Sequence, residues 1–326
     1  MSAKPFEVVI TRGTQVESRH QVHAVLYSQT TGIKEVYGDS HLPVFPRSAL
    51  KPIQALPLIL SGAAEHFQVS SKELALACAS HRGEPMHTEP VRLWLARIGC
   101  TEADLECGTH PPCHQETLFR LLKNHGSPSP IHNNCSGKHT GMLCTSVHLG
   151  ESYKNYVSLA HPVQQRILKV VEEFCEFQLS SNCLGVDGCS IPAPVLPLLN
   201  LAKGFANWSS PTNFPSNTSD ACVKIFEAFV QNPLLTSGTD HYCAQVMSET
   251  HGRVLVKGGA EGVIVAAIPE LRLGIGLKTL DGHSRASDYC LSILLQRLGL
   301  LQSSSSLLSP KIYNWNKFET GDIQLR

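Results

Sequence analysis

The sequence predicts an α+β protein in which strands from both chain ends form one antiparallel sheet, flanked by helices, around a largely helical middle. Two observations carry this. Strand-forming runs gather at 6–11 and 21–27 near the start and at 253–256, 262–268 and 271–280 near the finish, where apolar runs are bounded by turn residues. Between them, apolar residues recur at helical spacing over 53–61, 72–79, 88–98, 115–124, 138–148, 161–177, 194–206, 220–231 and 239–250, separated by clusters of Pro, Gly, Asn or Ser. First and last strands then share one sheet, closed on one face by a final helix over about 284–299. Residues 1–45 and 251–326 make a sheet-containing lobe, and 46–250 a mainly helical one. A cleft between the lobes is the expected place for a small-molecule site.

With 326 residues the chain can bury a sizeable core. Its 27 basic and 27 acidic residues balance, so no summed field draws it to nucleic acid or to an anionic membrane. Small neutral or zwitterionic partners are expected. The first ten residues lack the apolar core of a signal peptide. Pro192, Pro194 and Pro197 interrupt the best apolar run, leaving nothing near the roughly 18 residues of a membrane helix. A cytoplasmic protein is expected. Its twelve cysteines then read as reduced thiols, with Cys78, Cys144, Cys175, Cys222 and Cys290 acting as small core hydrophobes. Ser303 to Ser306 reads as a flexible linker. The stretch 312–326, with Tyr313, Trp315 and Phe318, is too apolar for a free tail and is expected to dock on the body or on a partner subunit.

The chemistry begins at Pro46-Arg47-Ser48-Ala49-Leu50-Lys51-Pro52. Ser48 and Lys51, three residues apart, share a helix face at about 5–6 Å between Cβ atoms. A serine hydroxyl attacks only when a base takes its proton, and a lysine amine serves when burial or a nearby cation keeps it neutral. Pro52 fits only in a first helical turn, which puts Ser48 at or just before the helix start. The same spacing also arises by chance in proteins with no such chemistry.

Three further segments are dense in polar groups. His132-Asn133-Asn134-Cys135-Ser136-Gly137-Lys138-His139 precedes an apolar helix. A phosphate-binding loop is rejected there, since His132 stands at the required upstream glycine and His139 at the Ser or Thr. Cys135 and Lys138 share a helix face, and a thiolate at a helix N-terminus suits metal binding. Gly185-Val186-Asp187-Gly188-Cys189-Ser190 is a second cysteine loop. By spacing alone two distant cysteines do not define a zinc site, and Cys183 with Cys189, or Cys107 with Cys113, compete. Ala79-Ser80-His81-Arg82-Gly83-Glu84 ends an apolar helix with Ser, His and Glu close together, and supplies a second hydroxyl or an acid/base group, or else a simple C-cap. Lys257-Gly258-Gly259-Ala260-Glu261-Gly262 lies between two strands, where glycines admit a close ligand or only a hairpin turn.

Taken together, the segments 45–52, 77–81, 132–139, 186–189 and 257–262 resemble the L-asparaginase II family, the Rhizobium-type or class 3 asparaginases, in order along nearly the whole chain. The resemblance implies a fold similar to serine β-lactamases and glutaminases, a homodimer, and two Ser-Lys pairs, here Ser48 with Lys51 and Ser80 with Lys257. It also implies a zinc ion held by Cys135, Lys138 and Cys189 with Asp187 close by. Ser190 stands where the family pattern usually has glycine. On this basis the expected reaction is hydrolysis of L-asparagine to L-aspartate and ammonia through a serine acyl intermediate. Arg47, Asn134, His139, Asp187 and Glu261 are the candidates for binding substrate, whose charges need paired partners in a dry site. A penicillin-interacting hydrolase is the first alternative, disfavoured because Lys-Thr-Gly and Ser-Asp-Asn segments are missing. A non-catalytic zinc- or amino-acid-binding protein is the second.

Overall fold

The computed structural model describes residues 3–326. The chain divides into two compact units, one of Met1–Ala49, Val195–Ser210 and Val246–Arg326, the other of Leu50–Pro194 and Pro211–Gln245. The predicted lobes ran 1–45 with 251–326 and 46–250, and the first two residues lie outside those described.

The first unit holds the predicted antiparallel sheet. Its strands are β1 (Phe6–Arg12), β2 (Gln15–Ser28), β3 (Gly32–Tyr37), β4 (Leu255–Gly258), β5 (Val263–Ile268), β6 (Leu273–Thr279), β7 (Lys311–Tyr313) and β8 (Glu319–Leu325). The order is β7-β8-β1-β2-β6-β5-β4, with β3 also on β2. N- and C-terminal strands meet where β2 pairs β6, Val22 opposite Thr279 and Ser28 opposite Leu273. Every residue of β5 is buried, as expected of a strand covered on both faces.

Two helices pack on these strands, Ser284–Arg297 and Leu198–Ser209. The second differs from the predicted 194–206. Pro192, Pro194 and Pro197 hold the chain extended, and the helix begins only after Pro197. It joins the sheet unit because Gly274 has no side chain: a Cβ there would come within 2.2 Å of Ala202 O and Ala206 N. Trp208 is buried in this unit.

The C-terminal stretch pairs with the body, β8 running antiparallel to β1. Ser303 to Ser306, read as a flexible linker, lead instead into a 3-10 turn, Ser306–Leu308, capped by Ser305 Oγ accepting from the Leu307 N–H. At the β7–β8 tip, Asn314 Oδ1 accepts from the N–H groups of Asn316 and Phe318. That tip presents Tyr313, Phe318 and a fully exposed Trp315.

The second unit is mainly helical. Its centre is the Ser136–His148 helix, buried from Ser136 to Ser146 and packed by the helices Leu56–Leu60, Ser71–Ala77, Pro85–Arg97 and Pro162–Cys175. The predicted 53–61 helix is two short ones, Lys51–Gln54 and Leu56–Leu60, with Pro57 near the start of the second, where its missing N–H leaves no bond unmade. Trp94 lies buried in this unit. Among the described residues every cysteine is free, and no helix is long and apolar enough to cross a membrane.

Candidate active site

Ser48 lies in the 3-10 turn Arg47–Leu50, immediately before the Lys51–Gln54 helix with Pro52 in its first turn. The chain passes from the first unit to the second between Ala49 and Leu50. Lys51 is fully buried. Its Nζ donates to Ala79 O at 2.5 Å, Ser80 Oγ at 3.0 Å and Asn134 O at 3.4 Å. Thus the structure gives Lys51 a hydrogen bond to Ser80, a partner that residue spacing does not reveal.

Segments 55 residues apart meet here because Gly137 has no side chain. A Cβ at Gly137 would stand 2.3 Å from Leu76 O, so only glycine lets the Ser136–His148 helix approach the end of Ser71–Ala77 so closely. His81 locks the approach. Its N–H donates to Asn134 O at 3.3 Å, and its Nδ1 accepts from the Gly83 N–H at 3.2 Å. Nε2 therefore carries the proton and donates to Ser136 Oγ at 2.8 Å. Burial, with His87 and Lys51 nearby, holds His81 well below the usual imidazole pKa.

In the first unit Lys257 lies buried on β4, its Nζ donating to Gly258 O at 2.7 Å. The loop after it rests on the Ser48 segment, since a Cβ at Gly259 would come 2.4 Å from Pro46 O and 3.4 Å from the Ala49 Cβ. Arg47 and Glu261 both take left-handed backbone, at φ 48° and 56°. Such strain costs on the order of 1–3 kcal/mol per residue and gathers at functional sites.

Asn134 leads into the sulfur cluster of the second unit. Lys138 Nζ donates to Cys189 Sγ at 3.1 Å. The Cys135 thiol has two acceptors in reach, Asn134 Oδ1 at 3.0 Å and the Cys189 sulfur. Asp187 Oδ2 stands 3.6 Å from Cys189 Sγ. The hydrogen bond from Cys135 and the Lys138 charge bring the Cys189 thiol down to about 5, against its burial. Cys135 is pushed up to about 12 by that same bond and by burial. Burial works against charge on Lys138, but Cys135, Cys189 and Asp187 outweigh it and raise its pKa. A thiolate–ammonium pair results. Two sulfurs and one amine form a donor set that suits zinc, provided the lysine gives up its proton. Among the described residues no three His, Cys, Asp or Glu side chains gather to hold a metal, so Lys138 would have to be the third ligand. Ser190 takes φ 75°, and its N–H still closes the turn onto Asp187 O at 2.9 Å. Of the competing cysteines, Cys113 is exposed and Cys183 lies against Ser180 Oγ.

His139 is fully buried, which lowers its pKa to about 3, with Lys138 adding to the effect. Its Nδ1 lies 2.7 Å from the Tyr156 hydroxyl. Sequence motifs miss Tyr156, which sits in an unremarkable turn. His81, a candidate acid/base group by its motif, bonds through its ring to Ser136 Oγ and the Gly83 N–H, and the motif around Ser136 does not foretell that partnership.

The L-asparaginase II family profile matches residues 8–325. No curated protein sequence matches the chain. In fold it is similar to the crystal structure of Mglu, with a TM-score of 0.50 and 13% identity over 87% of this chain and 68% of that one. Against Mglu in its glutamate form the TM-score is 0.50 at 13% identity, over 87% of this chain and 62% of that one. A β-lactamase from Mycobacterium bovis aligns with TM-score 0.45 and 14% identity, over 86% and 95% of the two chains. The chain thus spans about two thirds of the length of Mglu.

Proposed function

Since the chain belongs to the L-asparaginase II family, we propose that it is an amidohydrolase that converts L-asparagine to L-aspartate and ammonia. The observation that supports this most is the hydrogen bond from Lys51 Nζ to Ser80 Oγ beside two carbonyls. A neutral amine has two N–H groups and one lone pair. In the neutral form that the proposed chemistry needs, Ala79 O and Asn134 O would take the two N–H groups, and the bond to Ser80 would reverse so that the lone pair accepts the hydroxyl proton.

In the proposed sequence Ser48, three residues before Lys51, attacks the side-chain amide carbon. Its proton passes to Lys51, with Ser80 and Lys257 as relay, and is delivered to the amide nitrogen as the C–N bond breaks. Ammonia leaves, and water cleaves the ester to aspartate and free serine. Asn134, His139 and Asp187 are the proposed substrate contacts in the second unit. Arg47 and Glu261 are proposed on the family resemblance. Cys135, Lys138 and Cys189 would hold zinc, which when bound supplies positive charge that orders the loop or orients substrate. A homodimer is proposed on family grounds, to be read by light scattering.

A coupled ammonia assay with asparagine and glutamine tests the reading, alongside zinc content. Ser48→Ala should abolish ammonia release with the fold intact, and Cys189→Ala should lose zinc. Bound zinc without ammonia from either amide would leave a binding protein. Turnover of a chromogenic lactam in place of both amides would point to the penicillin-interacting alternative.

A further inference from the structure

Hydrogen-bond accounting around His139 carries a consequence for what the site can bind. The Tyr156 hydroxyl accepts from the Glu106 N–H at 2.8 Å and lies 2.7 Å from His139 Nδ1. Its own proton then has one acceptor, Nδ1, which places the imidazole proton on Nε2. Tyr156 is itself fixed: it is fully buried, its carbonyl accepts from Gln164 Nε2 at 2.8 Å, and its ring meets His139 edge-on at 5.4 Å. His139 Nε2 is buried and has no hydrogen-bond partner. The titratable groups that act on the ring are Lys138, Cys135, Lys51 and Asp187, so it sits among the Lys51 and sulfur clusters. A buried N–H left unmatched costs about as much as a lost hydrogen bond, and such a donor is satisfied by an oxygen acceptor, never by an ammonium group.

We propose that Tyr156 is a positioning residue that holds His139 as the Nε2–H tautomer, so that His139 donates to a carbonyl or carboxylate oxygen of the bound amide substrate. This rests on the amidohydrolase reading only for the identity of the ligand. The tautomer stands apart from it.

The test uses full-length protein labelled with 15N-histidine, the His139 signals being assigned by their loss in His139→Gln. Long-range 15N–1H correlation should show the proton on Nε2 in the wild type and a mixture of tautomers in Tyr156→Phe. With L-asparagine as probe, KM should rise about tenfold in Tyr156→Phe and in His139→Phe, with kcat changing less than about threefold. His139→Gln, which keeps an N–H donor, should recover most of that loss. A proton on Nδ1 in the wild type overturns the proposal, as does Tyr156→Phe with unchanged tautomer and KM. Should Tyr156→Phe not fold, the contrast between His139→Gln and His139→Phe decides it, equal KM values overturning it. Absence of ammonia from asparagine in the wild type would defeat the functional reading and leave the tautomer result to judge Tyr156.

Discussion

Lys51 Nζ lies 3.0 Å from the Ser80 hydroxyl oxygen, and its two other partners, Ala79 O and Asn134 O, are carbonyls that can only accept. The backbone therefore fixes where the amine stands relative to the Ser80 hydroxyl. Lys51→Met keeps the side-chain length and removes the amine. A fall in kcat of about 10²–10⁴ is expected, the usual contribution of a positioned base, with the Ala79 carbonyl losing its Lys51 donor at roughly 1–3 kcal/mol, while Asn134 O keeps the His81 N–H. Ammonia release and denaturant unfolding measure the two effects separately. Turnover within tenfold of wild type would exclude Lys51 as the base.

Gly259 rests against Pro46 O, where an added Cβ would come within 2.4 Å. Gly259→Ala must push the Lys257 loop away from the Ser48 segment. Misplacement of about 1 Å costs around 10²-fold in rate, so kcat is expected to fall by that order. Steady-state kinetics with a thermal melt on the same sample separate this from simple unfolding.

Ser190 holds a left-handed backbone at φ 75° with an exposed side chain, a conformation that favours glycine. Ser190→Gly should stabilise the protein by about 1 kcal/mol, less the entropy gained by the unfolded chain. Destabilisation by the same amount would mean that the turn is not strained.

His139 remains neutral down to about 3 when folded, whereas in the unfolded chain it titrates near its ordinary 6.5. Below about pH 6.5 the unfolded state binds more protons, so stability falls with falling pH until about pH 3. The contribution is roughly 5 kcal/mol across that window, and His81, lowered in the same direction, steepens it. Denaturant melts between pH 7 and pH 4 should show this slope, and His139→Gln should flatten it. An unchanged slope in that variant would show that the ring is not buried neutral.

Much of the architecture was legible because it is written in local pattern. The sheet strands at 262–268 and 271–280 and the helices over 88–98 and 161–177 depend on nearby apolar spacing, and they appear as Val263–Ile268, Leu273–Thr279, Pro85–Arg97 and Pro162–Cys175. The β7–β8 hairpin carries no such mark. Its turn is built by the Asn314 side chain rather than by an Asn-Gly dipeptide. The residue types of the candidate site were visible in their motifs, but partnership was not. Lys51 reaches Ser80 and Asn134 through a helix approach that Gly137 alone permits, and a glycine looks the same in sequence whether it frees a turn or admits a backbone. Tyr156 lacked any signal, since its role depends on a histidine 17 residues away.

The three tryptophans are distributed so that each reports something different. Trp94 is shielded within the helical unit, Trp208 within the sheet unit, and Trp315 stands wholly in solvent. With Trp315→Phe removing the wet fluorophore, and one further Phe replacement leaving either indole alone, emission would follow the melting of each half of the chain in turn. Coincident curves would identify a single cooperative block, and separated ones would reveal which half loosens first.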